Sequence, residues 1–101
     1  MIVISGFDEL LLKYKELPDV GWLYVENSFD IESIDDICNG KYYLAENEDE
    51  EIDFEENYGT FIEAPIFTAI IENKLKNNSR STKDDLFEAT LYYLENDDFL
   101  D

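Results

Sequence analysis

Apolar residues recur at intervals of three and four in three segments of the chain, and this spacing predicts three helices. The helices are predicted over residues 6–17, 64–76 and 82–96. Ser5 and Asp8 resemble a capping box at the start of the first helix, and Pro18 ends it. Ser81 or Thr82 caps the third helix, with an aspartate three residues further on.

Shorter runs rich in aromatic and branched residues predict strands between these helices. Residues 21–26 are apolar on both alternating faces, so this strand is expected inside a sheet. A second strand is predicted over residues 41–45, and residues 58–62 suit a third. Residues 2–4 form either a short strand or an apolar staple against the first helix. Residues 31–37, with isoleucine at every third position, favour a short helical turn.

The order of these elements predicts an α+β fold in which residues 1–101 form a single domain. Because strand runs are separated from helix runs, we expect a small antiparallel or mixed sheet packed against about three helices. The short connection between the last two helices predicts a C-terminal helix hairpin that packs against this sheet. Helix content is expected to exceed strand content.

The charge of the chain is unusual, since 26 Asp and Glu residues stand against 7 Lys and Arg residues, with no histidine. The resulting formal net charge of −19 repels phosphate, so direct binding to nucleic acid or to an anionic membrane is not expected. The hydrophobic fraction of 45% is enough for a core, which excludes a disordered acidic tail. The expected partner is a basic protein, and the alternative is that acidity serves solubility alone.

Acidic residues are densest between Glu46 and Glu56, where eight of eleven positions are Asp or Glu. Repulsion between neighbouring carboxylates disfavours packing, so this segment is predicted to be a loop. Phe54 is flanked by carboxylates and is expected at the surface, where it and Tyr58 would serve as apolar anchors for a partner. The predicted partner-binding residues are Glu46, Glu48, Asp49, Glu50, Glu51, Asp53, Phe54, Glu55, Glu56 and Tyr58.

The residue types that catalysis requires are missing or lack a partner, so we expect no enzymatic activity. The chain has no histidine that could act as a general base or activate Cys38, its only cysteine. The four glycines are scattered and form no phosphate-binding loop. A calcium-binding EF-hand loop that started at Asp49 would need glycine at its sixth position, which is Phe54. No metal ion or cofactor is therefore predicted.

The N-terminal residues and the cysteine content favour the cytoplasm. The start of the chain lacks the basic region and the long apolar run of a signal peptide. No stretch approaches the ~20 apolar residues that span a membrane. A single cysteine without a partner for a disulfide suits a reducing compartment.

Two segments of the chain resemble an uncharacterised bacterial domain family. Residues 17–24 contain Pro-x-x-x-Trp-Leu, and residues 84–99 contain Tyr-Tyr-x-x-Asn-Asp-x-Phe, two patterns that members of that family carry. In size and acidity the chain also resembles small cytoplasmic immunity proteins that neutralise secreted nuclease toxins, including those of contact-dependent growth inhibition. The resemblance implies a bacterial protein whose carboxylates occupy the basic, nucleic-acid-binding cleft of a cognate toxin.

Three functions remain open at this point: an immunity protein, a DNA-mimic inhibitor of a DNA-binding protein, and an acidic adaptor domain without a toxin partner. A DNA mimic should spread its carboxylates along an elongated surface at phosphate-like spacing. An immunity protein should concentrate them around an aromatic centre. The oligomeric state is left open as well.

Overall fold

Helices and strands alternate along the part of the chain that the computed structural model describes, residues 1–99. The strands are β1 (Ile2–Ser5), β2 (Trp22–Val25), β3 (Lys41–Leu44) and β4 (Gly59–Glu63). The helices are α1 (Gly6–Leu12), α2 (Ile34–Asn39), α3 (Glu48–Asn57), α4 (Ala64–Asn77) and α5 (Lys83–Asn96), with a 3-10 turn at Tyr14–Glu16. The predicted α+β class is confirmed, and helical residues outnumber strand residues.

The four strands form a sheet in the order β1-β3-β2-β4, and every pairing is antiparallel. β2 is an interior strand, as its two apolar faces predicted. Tyr24 of β2 lies opposite Tyr43 of β3, and the register of the β2–β4 pair shifts between Trp22 and Tyr24. Residues 2–4 belong to β1, so the strand was the correct alternative for this segment.

One face of the sheet forms the main core together with α1, α2, α4 and α5. Inward-facing side chains of β2 and β3 alternate with outward-facing ones, as the pleat of a strand requires. Phe7 of α1 packs edge-on against Phe67 of α4 and Phe87 of α5, with ring centroids 6.0 and 4.9 Å apart. The pairing of α4 with α5 confirms the predicted C-terminal hairpin. The domain contains more helices than expected, because α2 and α3 were predicted as a turn and a loop.

The opposite face of the sheet carries a second, smaller cluster of aromatic side chains beneath α3. Tyr24 and Tyr43 project from β2 and β3 into this cluster, and Phe54 of α3 covers them. Phe54 is the one buried side chain that α3 contributes. The attachment of α3 to the sheet therefore depends largely on a single aromatic ring.

The capping predictions had mixed outcomes. Thr82 and Asp85 form the predicted capping box at the start of α5, with reciprocal hydrogen bonds of 3.2 and 2.9 Å. Ser5 occupies the N-cap position of α1, but its side chain makes no capping hydrogen bond. The carboxylate of Asp8 instead pairs with the ammonium of Lys83. The predicted Ser5–Asp8 box is therefore wrong, and the backbone N–H of Ser5 donates instead to the carboxylate of Glu9 at 3.0 Å.

Most predicted bounds of the elements lie close to the observed ones, but the first helix is shorter than predicted. It ends at Leu12 rather than at residue 17, and the 3-10 turn follows it. Leu17 is extended, with φ −69° and ψ 147°, because a residue that precedes proline is sterically disfavoured in the helical region. Pro18 thus accounts for the extended conformation of Leu17.

Candidate partner-binding surface

The acidic segment forms a helix, and the prediction of a loop is wrong. Asn47 caps α3 by accepting a hydrogen bond from the backbone N–H of Glu50 at 2.8 Å. Four carboxylates lie in the first turn, where the helix dipole favours negative charge. At the other end, the side-chain amide of Asn27 donates to the carbonyl oxygen of Asn57 at 2.8 Å. These contacts offset the repulsion between neighbouring acids.

Phe54 is buried, so the prediction that it lies at the surface is wrong. Its side chain is 3% exposed, and its ring centroid lies 5.1 Å from that of Tyr24 and 4.8 Å from that of Tyr58. In a helix, residues next to each other in sequence point in different directions, so acidic neighbours do not force Phe54 outward. Tyr58 is half-buried at the edge of the same cluster.

The carboxylates of the acidic segment remain together on the outer surface of α3. We define the α3 acidic surface as the residues Glu46, Glu48, Asp49, Glu50, Glu51, Asp53, Glu55 and Glu56. Glu50 and Glu51 are half-buried and the other six are exposed. Within residues 1–99, no lysine or arginine pairs with any of the eight. The acids of this segment are thus accessible to solvent, although a helix rather than the predicted loop carries them.

The ammonium group of Met1 is the positive charge that contacts this surface. It donates hydrogen bonds to the carboxylates of Glu46 and Glu50. The other oxygen of Glu50 accepts a hydrogen bond from the backbone N–H of Glu46 at 3.0 Å. The Met1 ammonium, followed by that backbone N–H, holds the pKa of the Glu50 carboxyl below its usual range. Glu50 is therefore partly a structural residue that joins β1 to the start of α3.

A groove of about 320 Å³ lies beside the first turn of α3, between that turn, the end of β3 and the start of β2. Its lining residues include Trp22 and Val20, which are 37% and 78% exposed. They also include Glu48 and Glu51. We call this feature the Trp22 groove. This groove was not predicted from the sequence, although Trp22 and Tyr24 are two residues apart in β2 and a strand places such residues on one face.

Tyr24 also lines the Trp22 groove, and its hydroxyl group is an unusual feature. The side chain is 1% exposed, and the hydroxyl has no hydrogen-bond partner within residues 1–99. Burial, followed by the nearby carboxylates of Glu55 and Glu51, raises the pKa of Tyr24 above its ordinary value. A buried polar group without a partner is uncommon in folded proteins. The residues that line the groove thus include an exposed tryptophan, several glutamates and a buried tyrosine whose hydroxyl has no partner within residues 1–99.

The rest of the described chain offers less chemistry. Cys38 is a free thiol at a half-buried position. Lys83, one of four basic residues around the connection between α4 and α5, pairs with Asp8.

Residues 1–99 contain no group of three or more Cys, Asp or Glu side chains arranged to hold a metal ion. None of the helices described here has the length and apolar character needed to cross a membrane.

Comparisons of this chain with protein-family models, with curated proteins and with solved structures gave no match.

Proposed function

We propose that this protein is an immunity protein that binds a basic bacterial toxin in the cytoplasm. The toxin is a nuclease, and the α3 acidic surface blocks its nucleic-acid-binding cleft. The protein acts by binding and catalyses no reaction. It needs no cofactor, because carboxylates pair directly with the Arg and Lys side chains that such a cleft presents to phosphate.

The observation that carries this proposal is the state of the α3 carboxylates. Apart from Glu46 and Glu50, which contact the N-terminus, the acids of this surface have no cationic partner in the described part of the chain. The helix dipole favours the acids of the first turn, but repulsion among so many neighbouring carboxylates still costs stability. A cationic partner would relieve the repulsion and would be drawn to the surface at long range.

The shape of the charged surface favours a toxin cleft over the DNA-mimic alternative. α3 has 10 residues, and a helix of that length is only about 15 Å long. Carboxylates confined to one short helix suit a concave basic cleft. A mimic of the DNA backbone would need charges at regular spacing along a longer path. The exposed ring of Trp22 beside the helix also supplies the aromatic centre expected of a tight interface.

The test begins with capture of partners from the source bacterium at low salt, followed by purification of any captured basic protein. We expect that protein to degrade DNA or RNA and to lose this activity when the acidic chain is added. Association should be fast at low ionic strength and should slow steeply as salt rises. A partner whose nuclease activity is unchanged by the chain would overturn the proposal.

Two variants of equal charge test whether the α3 acidic surface is the contact. The first variant combines Glu48→Gln, Asp49→Asn, Glu55→Gln and Glu56→Gln, which leaves the structural contacts of Glu50 intact. The control combines Glu72→Gln, Asp84→Asn, Glu88→Gln and Glu95→Gln, all exposed residues of α4 and α5. Each changes the formal net charge from −19 to −15. Only the first should reduce inhibition, and an equal loss for both would mean that overall charge alone matters.

A further inference from the structure

We infer that the Trp22 groove is the binding site for an arginine side chain presented by the basic partner. The inference rests on the proposed function, because it assumes that the partner is a basic polypeptide. It adds a specific pocket to a surface otherwise defined only by its charge. Three properties support it: the exposed indole of Trp22, the unsatisfied hydroxyl of Tyr24, and the size of the groove together with the carboxylates that line it.

The first property is the indole of Trp22, which is 37% exposed and lines the groove. Tryptophan binds cations most strongly among the aromatic side chains, because its ring face carries negative electrostatic potential. A planar guanidinium group stacks on such a face, whereas an ammonium group makes only a point contact. The cation would contact this ring and the carboxylate of Glu51, which also lines the groove.

The second property is the hydroxyl of Tyr24, whose oxygen can accept a hydrogen bond that the described chain does not supply. Guanidinium carries five N–H donors, enough to reach this oxygen and the Glu51 carboxylate together. The hydroxyl is covered in the free protein, so a neighbouring side chain must change rotamer when the arginine enters. Such changes are common when interfaces form.

The third property is size combined with charge. A volume of about 320 Å³ lies at the lower end of the range of about 300–1,000 Å³ for ligand pockets, which suits one side chain of a protein partner. Glu46, Glu48 and Glu51 all line this space, and no basic side chain does. A cation is therefore the complementary occupant.

The experiment titrates the folded chain with an acetylated tetra-arginine peptide at an ionic strength of about 20 mM, where charge screening is weak. Trp22 is the only tryptophan, so a change in its emission reports directly on the groove. Calorimetry on the same samples gives the affinity. We expect the peptide to bind and to change the emission, and tetra-lysine to bind more weakly with little change.

Glu51→Gln and Glu55→Gln form a matched pair, because each removes one carboxylate of α3 near Tyr24 but only Glu51 lines the groove. Glu51→Gln should weaken tetra-arginine binding about tenfold, since a hydrogen bond to a charged group is lost. Glu55→Gln should weaken it less than about twofold, as an exposed charge does. Trp22→Leu and Tyr24→Phe should also weaken binding, with circular dichroism confirming that each variant is folded.

The outcomes separate this inference from the proposed function. If the peptide binds but the two glutamine variants weaken it equally and Trp22 emission is constant, the groove is not the site, while charge-driven binding stands. Equal binding of tetra-lysine would overturn the choice of arginine. A dimer seen by sedimentation and dissociated by Trp22→Leu would make a second copy of the chain the occupant. If neither peptide binds and no basic protein is captured, both proposals fail.

Discussion

At the scale of single residues, two buried tyrosines on neighbouring strands differ in whether their hydroxyl groups are satisfied. The hydroxyl of Tyr42 donates to the carbonyl oxygen of Ile37 at 2.6 Å, whereas that of Tyr24 has no partner in residues 1–99. Tyr42→Phe should lower the free energy of unfolding by about 1–3 kcal/mol, because the buried carbonyl loses its donor. Tyr24→Phe should leave stability unchanged or raise it. Urea unfolding measures the stability of both variants. An equal loss of stability in the two would contradict the difference expected between these tyrosines.

Phe54 packs α3 against the sheet, so replacing it should lower the stability of the fold. Phe54→Ala should lower the free energy of unfolding by about 3 kcal/mol or more, since it removes a buried ring that packs against three tyrosines. Phe54→Leu keeps most of the volume and should cost less. Denaturant titrations followed by circular dichroism measure both variants. A stable, well-folded Phe54→Ala protein would show that the ring matters little for folding.

At the scale of elements, α3 depends on its N-cap because its own residues bury so little surface. Asn47→Ala removes the acceptor for the backbone N–H of Glu50 and should cost about 1 kcal/mol. Asn47→Asp keeps the acceptor and should cost much less. Thermal unfolding of the three proteins at equal salt compares them. If Ala and Asp at this position behave alike, the cap does not account for the helix.

The elements that the sequence predicted well are those specified locally. α5 has its capping box and its apolar stripe within its own residues, so its bounds could be predicted to within one residue. The helix α3 could not be predicted in this way, because its formation depends on residues far away in the sequence. Tyr24, in a distant strand, buries Phe54, and Asn27 donates to the last carbonyl group of the helix. The acidic segment could be identified from the sequence because its charge is so dense. The Trp22 groove could not be predicted, since it depends on how two strands and a helix meet in space.

At the scale of the whole molecule, the tyrosines make stability depend on alkaline pH. Burial is the first cause that raises the pKa of Tyr24, Tyr42, Tyr43 and Tyr93 above the ordinary value of 10.0. Above that pH the unfolded chain loses phenolic protons that the folded chain keeps, so stability falls as pH rises. Below about pH 9 the tyrosines are protonated in both states and should not change the free energy of unfolding. Urea midpoints from pH 8 to pH 11 test this, and a constant midpoint would contradict it.

The net charge of −19 makes the whole fold sensitive to salt. The sixteen acids between Leu17 and Asn73 share that segment with a single basic residue, Lys41, and most of them lie in or beside α3 or within residues 26–36. Raising sodium chloride from about 20 mM to about 0.5 M shortens the screening length severalfold and should therefore raise the melting temperature. In a domain of this size, each kcal/mol of relief corresponds to about 4–8 °C.

The charge-reduced α3 variant separates this electrostatic effect from the general action of salt on apolar surfaces. With a formal charge of −15, it should melt at a higher temperature than the parent in low salt and should gain less from added salt. Both proteins should converge at high salt, where the repulsion is screened in each. If they instead respond in parallel over the whole range, repulsion on α3 does not limit stability. A role of these acids in binding at the expense of folding would then have no physical basis.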